Sequence, residues 1–131
     1  MEDLILLDSS VLIEYFRKRD RETSFFYKRA GASNNFCISV ITHFEITSGI
    51  NFQQEPFWLN IFSDVINVPY NTSLNFTAVK ILQQLKRKGL NIEFKDLIIA
   101  STIKFGYHLA TLNKKHFINI PDLLLITPDS I

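Results

Sequence analysis

Residues 4–16 read Leu4-Ile5-Leu6-Leu7-Asp8-Ser9-Ser10-Val11-Leu12-Ile13-Glu14-Tyr15-Phe16. Four consecutive apolar residues suit a strand buried on both faces. Asp8-Ser9-Ser10 follows at once, and short polar side chains of this kind start helices, so Val11 to Phe16 reads as a helix. The same alternation continues along the chain. Phe36 to Val40, Val65 to Val68 (broken by Pro69), His108 to Thr111 and Leu123 to Ile126 read as further strands. Helices are expected over Glu22 to Ala30 (stopping at Gly31), Thr42 to Gly49, Phe57 to Phe62, Ser73 to Lys88 and Leu97 to Phe105. In Ser73 to Lys88, Leu74, Ala78, Ile81, Leu82 and Leu85 recur at three- and four-residue spacing, which makes one apolar stripe. Leu97 to Phe105 is apolar nearly all round, so it should be a central, buried helix. Crossovers of this length imply an α/β fold, a three-layer α/β/α sandwich around a mainly parallel sheet of four to five strands. Such sheets bind ligands beyond the carboxyl ends of their strands.

No repeat, low-complexity tract or linker divides residues 1–131, which are expected to form a single domain. With 47% hydrophobic and 21% charged residues, the composition excludes intrinsic disorder. No apolar run approaches the ~18 residues that span a bilayer, so no membrane role is expected. Met1-Glu2-Asp3-Leu4 lacks the basic start of a secretory signal, which predicts a cytoplasmic protein. A lone Cys37 excludes an internal disulfide framework and a Cys-based zinc site. Fourteen Lys and Arg against thirteen Asp and Glu give a net charge of +1, so no global field recruits nucleic acid. The cations are nevertheless clustered at Arg17-Lys18-Arg19 with Arg21, at Lys86-Arg87-Lys88 and at Lys114-Lys115. The middle cluster suits the last turn of a helix ending at Gly89.

Three acids fall where a ligand site should be. Asp8 follows the first strand, Glu45 comes one short turn after the second, and Asp96 starts the buried helix before the fourth. The fourth strand ends at Thr111, and the loop Asn113-Lys114-Lys115-His116 leaves from the same edge. Carboxylates converging there would repel one another unless a cation lay between them, and hard oxygen ligands suit Mg²⁺ or Mn²⁺. Such an ion polarises a phosphoryl oxygen and activates water, the chemistry of nucleases. Relief of that repulsion predicts that Asp8→Asn and Asp96→Asn leave stability unchanged or raised. Each acid also has a local reading. Asp8 suits a helix N-cap, Thr42-His43-Phe44-Glu45 fits a capping box, and Asp96 suits a helix N-terminus. Glu14 is expected on an exposed helix face and Glu93 in the turn before Asp96, both outside the site. His43 and His108 share no zinc-ligand spacing with Cys37 and read as structural.

Four segments resemble the motifs of PIN-domain ribonucleases, in particular the VapC-type toxins of bacterial toxin–antitoxin pairs. They are Asp8 to Phe16, Ser39 to Gly49 with Glu45, Asp96 to Thr102, and Thr111 to Phe117, in family order within residues 4 to 127. The resemblance implies a PIN-like sandwich and metal-dependent cleavage of RNA with water as nucleophile, leaving 5′-phosphate and 3′-hydroxyl ends. It implies Asp8 and Asp96 as principal ligands of Mg²⁺ or Mn²⁺, and Glu45 as a ligand or as the positioner of the metal's water. Ser10 and Thr111 match hydroxyl positions that orient the carboxylates, while Asn113 and His116 complete the surroundings of the catalytic acids. Arg17, Lys18, Lys114 and Lys115 would hold the RNA backbone. A cognate antitoxin protein and a homodimer are the implied partners.

The sequence departs from the family at one place: His116 occupies the slot where the fourth motif normally carries an Asp. That departure keeps an alternative open, a PIN-like module that has lost catalysis and binds RNA or a protein partner. A receiver-like phosphoryl-aspartate domain is disfavoured, because it would want an acidic pair early in the chain.

Overall fold

The computed structural model describes residues 4–30, 35–103 and 107–130. Five short strands, β1 (Ile5–Leu7), β2 (Phe36–Ser39), β3 (Ile66–Val68), β4 (His108–Ala110) and β5 (Leu124–Ile126), form one sheet in the order β3-β2-β1-β4-β5. All four strand pairings are parallel. Helices α1 (Ser9–Arg17), α2 (Phe25–Ala30), α3 (Val40–Gly49), α4 (Glu55–Asp64), α5 (Leu74–Arg87), α6 (Phe94–Thr102) and α7 (Lys114–Phe117) make the crossovers and the outer layers.

The strand run at the start of the chain explains the two-sided core. Ile5 and Leu7 face one layer, where they join Val11, Leu12, Phe25, Ile46 and Trp58. Leu6 faces the other, with Cys37, Ile99, Ala100 and Phe117. Every residue from Asp96 to Thr102 is buried, as the all-round apolar pattern of α6 requires. Burial pushes the Cys37 thiol up to about 11, so it is a packing group rather than a nucleophile. No helix among the described residues is long and apolar enough to cross a membrane.

Several local expectations are corrected. Glu22 to Ala30 is not one helix: a short 3₁₀ turn over Arg21–Thr23 precedes α2, with Ser24 between them. Ser24 Oγ accepts the Tyr27 N–H at 3.1 Å, and Glu14 Oε1 accepts the Phe25 N–H at 2.8 Å. Glu14 therefore caps α2 instead of standing on an exposed face, and the stop expected at Gly31 lies outside the described residues. Arg21 leaves the basic cluster as well. Its guanidinium donates to the Tyr15 and Phe16 carbonyls at the end of α1 and lies 4.6 Å from the Phe57 ring centroid. Helix α3 starts at Val40 because Ser39 Oγ accepts the Thr42 N–H at 3.1 Å, so Ser39 is the cap and Glu45 lies in the second turn. The expected capping box from Thr42 to Glu45 does not form. Helix α6 begins at Phe94, which makes Asp96 its third residue, and it ends at Thr102 with Ile103 as an extended C-cap, short of the expected end at Phe105. The expected loop from Asn113 to His116 is largely a single helical turn, α7.

Candidate active site

The strand order reverses direction between β1 and β4, the place at whose carboxyl edge sheets of this kind bind ligands. Leu7 is in register with Ala110, and the Asp8 N–H donates to the Ala110 carbonyl at 2.9 Å. The next residue of each chain segment, Asp8 and Thr111, therefore meets its neighbour. Both are buried.

Asp8 is an N-cap and a site residue at once. Its Oδ1 accepts the Ser9 N–H at 2.9 Å, while Oδ2 accepts the hydroxyls of Ser10 and Thr111, each at 2.8 Å. Each hydroxyl oxygen in turn accepts a backbone N–H, Ser10 from Leu112 at 3.1 Å and Thr111 from Asn113 at 2.9 Å. Those N–H bonds commit the hydroxyl protons to Asp8, so the carboxylate is held by a satisfied network.

Asp96 is placed differently. It is 4% exposed, and among the described residues its one polar contact is His116, whose Nδ1 lies 3.2 Å from Oδ2. Burial is the largest influence on its carboxyl and pushes it above the ordinary range; His116 pulls the other way, and the charge of Asp8 pushes it further up. A buried carboxylate facing a second one, with little hydrogen bonding of its own, invites a cation.

Glu45 stands on the rim, half-buried. Its Oε1 accepts the Ser9 hydroxyl at 3.3 Å, and its Oε2 lies 3.3 Å from the Lys95 ammonium. Among the described residues no group of three His, Cys, Asp or Glu side chains could hold a metal ion as placed. The expected three-acid cage is thus not assembled, because Glu45 is turned to Lys95. The pair of Asp8 and Asp96 still fits a hard divalent cation, which commonly takes one or two carboxylates and keeps several waters.

The remaining predicted residues lie around this centre. Asn113 is exposed and caps α7 without a side-chain bond, and Lys114, Lys115 and His116 are exposed on that turn. Arg17, Glu45 and Trp58 line one cavity of about 170 Å³, while Lys18 is exposed beyond the end of α1. Lys95 was missed by sequence reasoning, although a signal existed. It is a cation in the first turn of a helix, where the dipole favours acids.

Comparison with known proteins identifies the family. A model of the PIN domain matches residues 5–126. The ribonuclease VapC1 of Methanocaldococcus jannaschii is 39% identical over 118 residues, 88% of this chain and 80% of that protein. The chain belongs to the PIN-domain family, on its VapC branch. Solved structures share the PIN fold. The DNA-bound VapBC of Salmonella typhimurium matches with a TM-score of 0.83 at 21% identity, over 96% of this chain and 98% of that one. A toxin–antitoxin complex from Klebsiella pneumoniae gives 0.73 at 27% identity, over 97% and 99%. In this PIN domain the four motif segments meet at the carboxyl edge, with Asp8, Asp96 and Thr111 buried and Glu45 and His116 on the rim.

Proposed function

We propose that this PIN domain is a VapC-type endoribonuclease, the toxin of a toxin–antitoxin pair, which hydrolyses RNA phosphodiesters with the help of Mg²⁺ or Mn²⁺. The observation that carries the reading is the pair of buried carboxylates at the strand-order switch, one tied by three donors and the other by one histidine. Likeness to the ribonuclease VapC1 supports the substrate class.

Asp8 and Asp96 would hold the ion, which would polarise the phosphoryl oxygen and ease ionisation of a water. Ser10 and Thr111 keep the Asp8 carboxylate in one orientation. His116 steadies Asp96 from the α7 side, and Asn113 anchors the start of that turn. Glu45 positions water at the rim through the carboxylate it shares with Ser9 and Lys95. Arg17, Lys18, Lys114 and Lys115 would hold RNA phosphates. Water attacks phosphorus and the bond to the 3′-oxygen breaks, leaving 5′-phosphate and 3′-hydroxyl ends.

The complexes formed by the structural relatives support a cognate antitoxin as partner. A homodimer is supported by exposed apolar side chains on two helices, Val40 and Phe44 of α3 and Phe76 and Val79 of α5. Light scattering at micromolar concentration is expected to report a dimer.

The test is cleavage of single-stranded RNA with Mg²⁺, Mn²⁺ or EDTA. The wild type should cleave only with a divalent ion, and Asp8→Asn and Asp96→Asn should each abolish cleavage. Near-wild-type cleavage by either variant would overturn the metal-site assignment. RNA binding without any cleavage by the wild type would favour a non-catalytic binding module.

A further inference from the structure

We propose that Lys95 is a substrate-contacting residue, whose ammonium rests on Glu45 in the free protein and transfers to an RNA phosphate entering over Asp8 and Asp96. The proposal rests on the ribonuclease reading and names a contact that reading does not contain.

Local energetics give Lys95 little reason to be where it is beyond the pull of neighbouring acids, Glu45 first. It is the second residue of α6, and a cation in the first turn opposes the helix dipole. Its bond to Glu45 is an exposed pair, with side chains 46% and 28% accessible, a class that contributes about 1 kcal/mol or less. What the position does provide is charge beside acids. A phosphate approaching this edge meets the carboxylates of Asp8, Asp96 and Glu45. Among the described residues Lys95 is the one lysine or arginine that forms an ion pair with any of them. Arg17 lines the cavity beside Glu45 without pairing with it.

The geometry also allows exchange. The Lys95 side chain is nearly half accessible, and its 3.3 Å pair uses one of three ammonium donors. A phosphate can take the remaining donors and then draw the ammonium off Glu45. That transfer frees Glu45 Oε2 at the moment substrate is present, while Oε1 keeps the Ser9 hydroxyl. Contact with substrate and release of Glu45 are thus two consequences of one side-chain movement.

The experiment measures binding of a fluorescent single-stranded RNA 12-mer by anisotropy in EDTA, across a salt series, for the wild type and for Lys95→Ala, Lys95→Arg and Lys86→Ala. Lys86 lies in the last turn of α5 and forms no ion pair with Asp8, Asp96 or Glu45, so its removal changes net charge equally without removing a cation paired to those acids. Loss of one phosphate contact should weaken binding roughly fivefold for Lys95→Ala. It should also reduce the slope of log affinity against log salt by about 0.7. Lys95→Arg should keep the wild-type slope, and Lys86→Ala should leave both quantities near wild type. In cleavage with Mn²⁺, Lys95→Ala should raise KM by a similar factor. Melting curves that match the wild type will show that the exposed substitution leaves the fold intact. If Lys95→Ala behaves like Lys86→Ala, or binds more tightly than the wild type, while the wild type cleaves RNA, this inference fails and the ribonuclease reading stands. A wild type that neither binds nor cleaves RNA overturns both.

Discussion

Replacing Thr111 by Val tests whether the Asp8 carboxylate is held as the structure has it. Thr111 is fully buried, and its hydroxyl donates to Asp8 Oδ2 at 2.8 Å while accepting the Asn113 N–H at 2.9 Å. Valine keeps the shape and loses both bonds. A hydrogen bond to a charged acceptor contributes about 1.5–3 kcal/mol. The Asn113 amide costs little, because that residue is exposed and water can replace the hydroxyl. Against this, a methyl in place of a buried hydroxyl returns up to about 0.8 kcal/mol. The net expectation is a loss of about 1–2 kcal/mol, or roughly 4–8 °C in Tm for a domain of this size. Urea unfolding should show a lower midpoint with an unchanged slope. Thr102→Val is the control. Its buried hydroxyl donates only to the Ile98 carbonyl within α6, a back-bond that contributes little, so the change should stay within about 0.5 kcal/mol. If Thr111→Val is as mild as Thr102→Val, Thr111 does not hold Asp8 and the network is refuted.

Four further outcomes follow from the geometry and the burial of these groups. Asp96 has its carboxyl pushed up, chiefly by burial, so the stabilising proton is fully present below the unfolded value and lost as pH rises through the folded one. Its charge therefore costs stability at pH 7 without metal; Asp96→Asn should melt above the wild type in EDTA, and a lower melting point would contradict this. A divalent ion at a hundred times its Kd should raise the wild type by about 2.7 kcal/mol, roughly 10 °C, and Asp96→Asn by far less. His116→Asp would add a carboxylate beside Asp96 in place of imidazole, a partner better suited to Mn²⁺, so the ratio of Mg²⁺- to Mn²⁺-supported cleavage should rise. An unchanged ratio would put His116 out of reach of the ion. Cys37, buried and with its thiol at about 11, should resist a disulfide reagent at pH 8 and react only on unfolding; rapid labelling of the native protein would disprove that placement.

The strands and long helices were legible because their signals are local. Ile5 to Leu7 is an apolar run with a helix starter behind it, and the stripe of α5 needs no partner to be recognised. What was misread depends on choices between equals or on distance. Ser39 and Thr42 are both good N-cap residues, and only the end of β2 decides that Ser39 takes the role and shifts Glu45 into the second turn. Four residues, Lys114 to Phe117, are too few to show a helical period. Glu14 caps an amide eleven positions away, a bond that no spacing rule reports. At the site, the sequence singled out Asp8, Asp96, Ser10, Thr111 and His116. It missed that Glu45 pairs with a lysine fifty positions on, because nothing in either segment marks the other.

The local and functional readings of Asp8 are not rivals. A helix that begins at the carboxyl end of a central strand needs a cap there, and in this strand order that is also where ligands bind. The cap, the Ser10 hydroxyl and the Thr111 hydroxyl occupy three of the roughly four lone-pair sites of the carboxylate. Asp96, with one histidine, keeps most of its own open. The two acids are therefore unequal. Asp8 is part of the fold and would be rigid with or without an ion, whereas Asp96, held by His116 alone, would gain further partners from a bound ion. For Asp8 these bonds argue against the expectation that either substitution leaves stability unchanged or raised. An Asn there replaces an acceptor-only group with one that carries an NH₂, turned either toward two committed hydroxyl donors or toward the Ser9 N–H. Asp8→Asn should thus lower the melting point in EDTA while Asp96→Asn raises it, although both abolish cleavage. Opposite signs from two chemically identical substitutions, separated by one strand crossing, would locate the ion-dependent part of this protein's stability at Asp96.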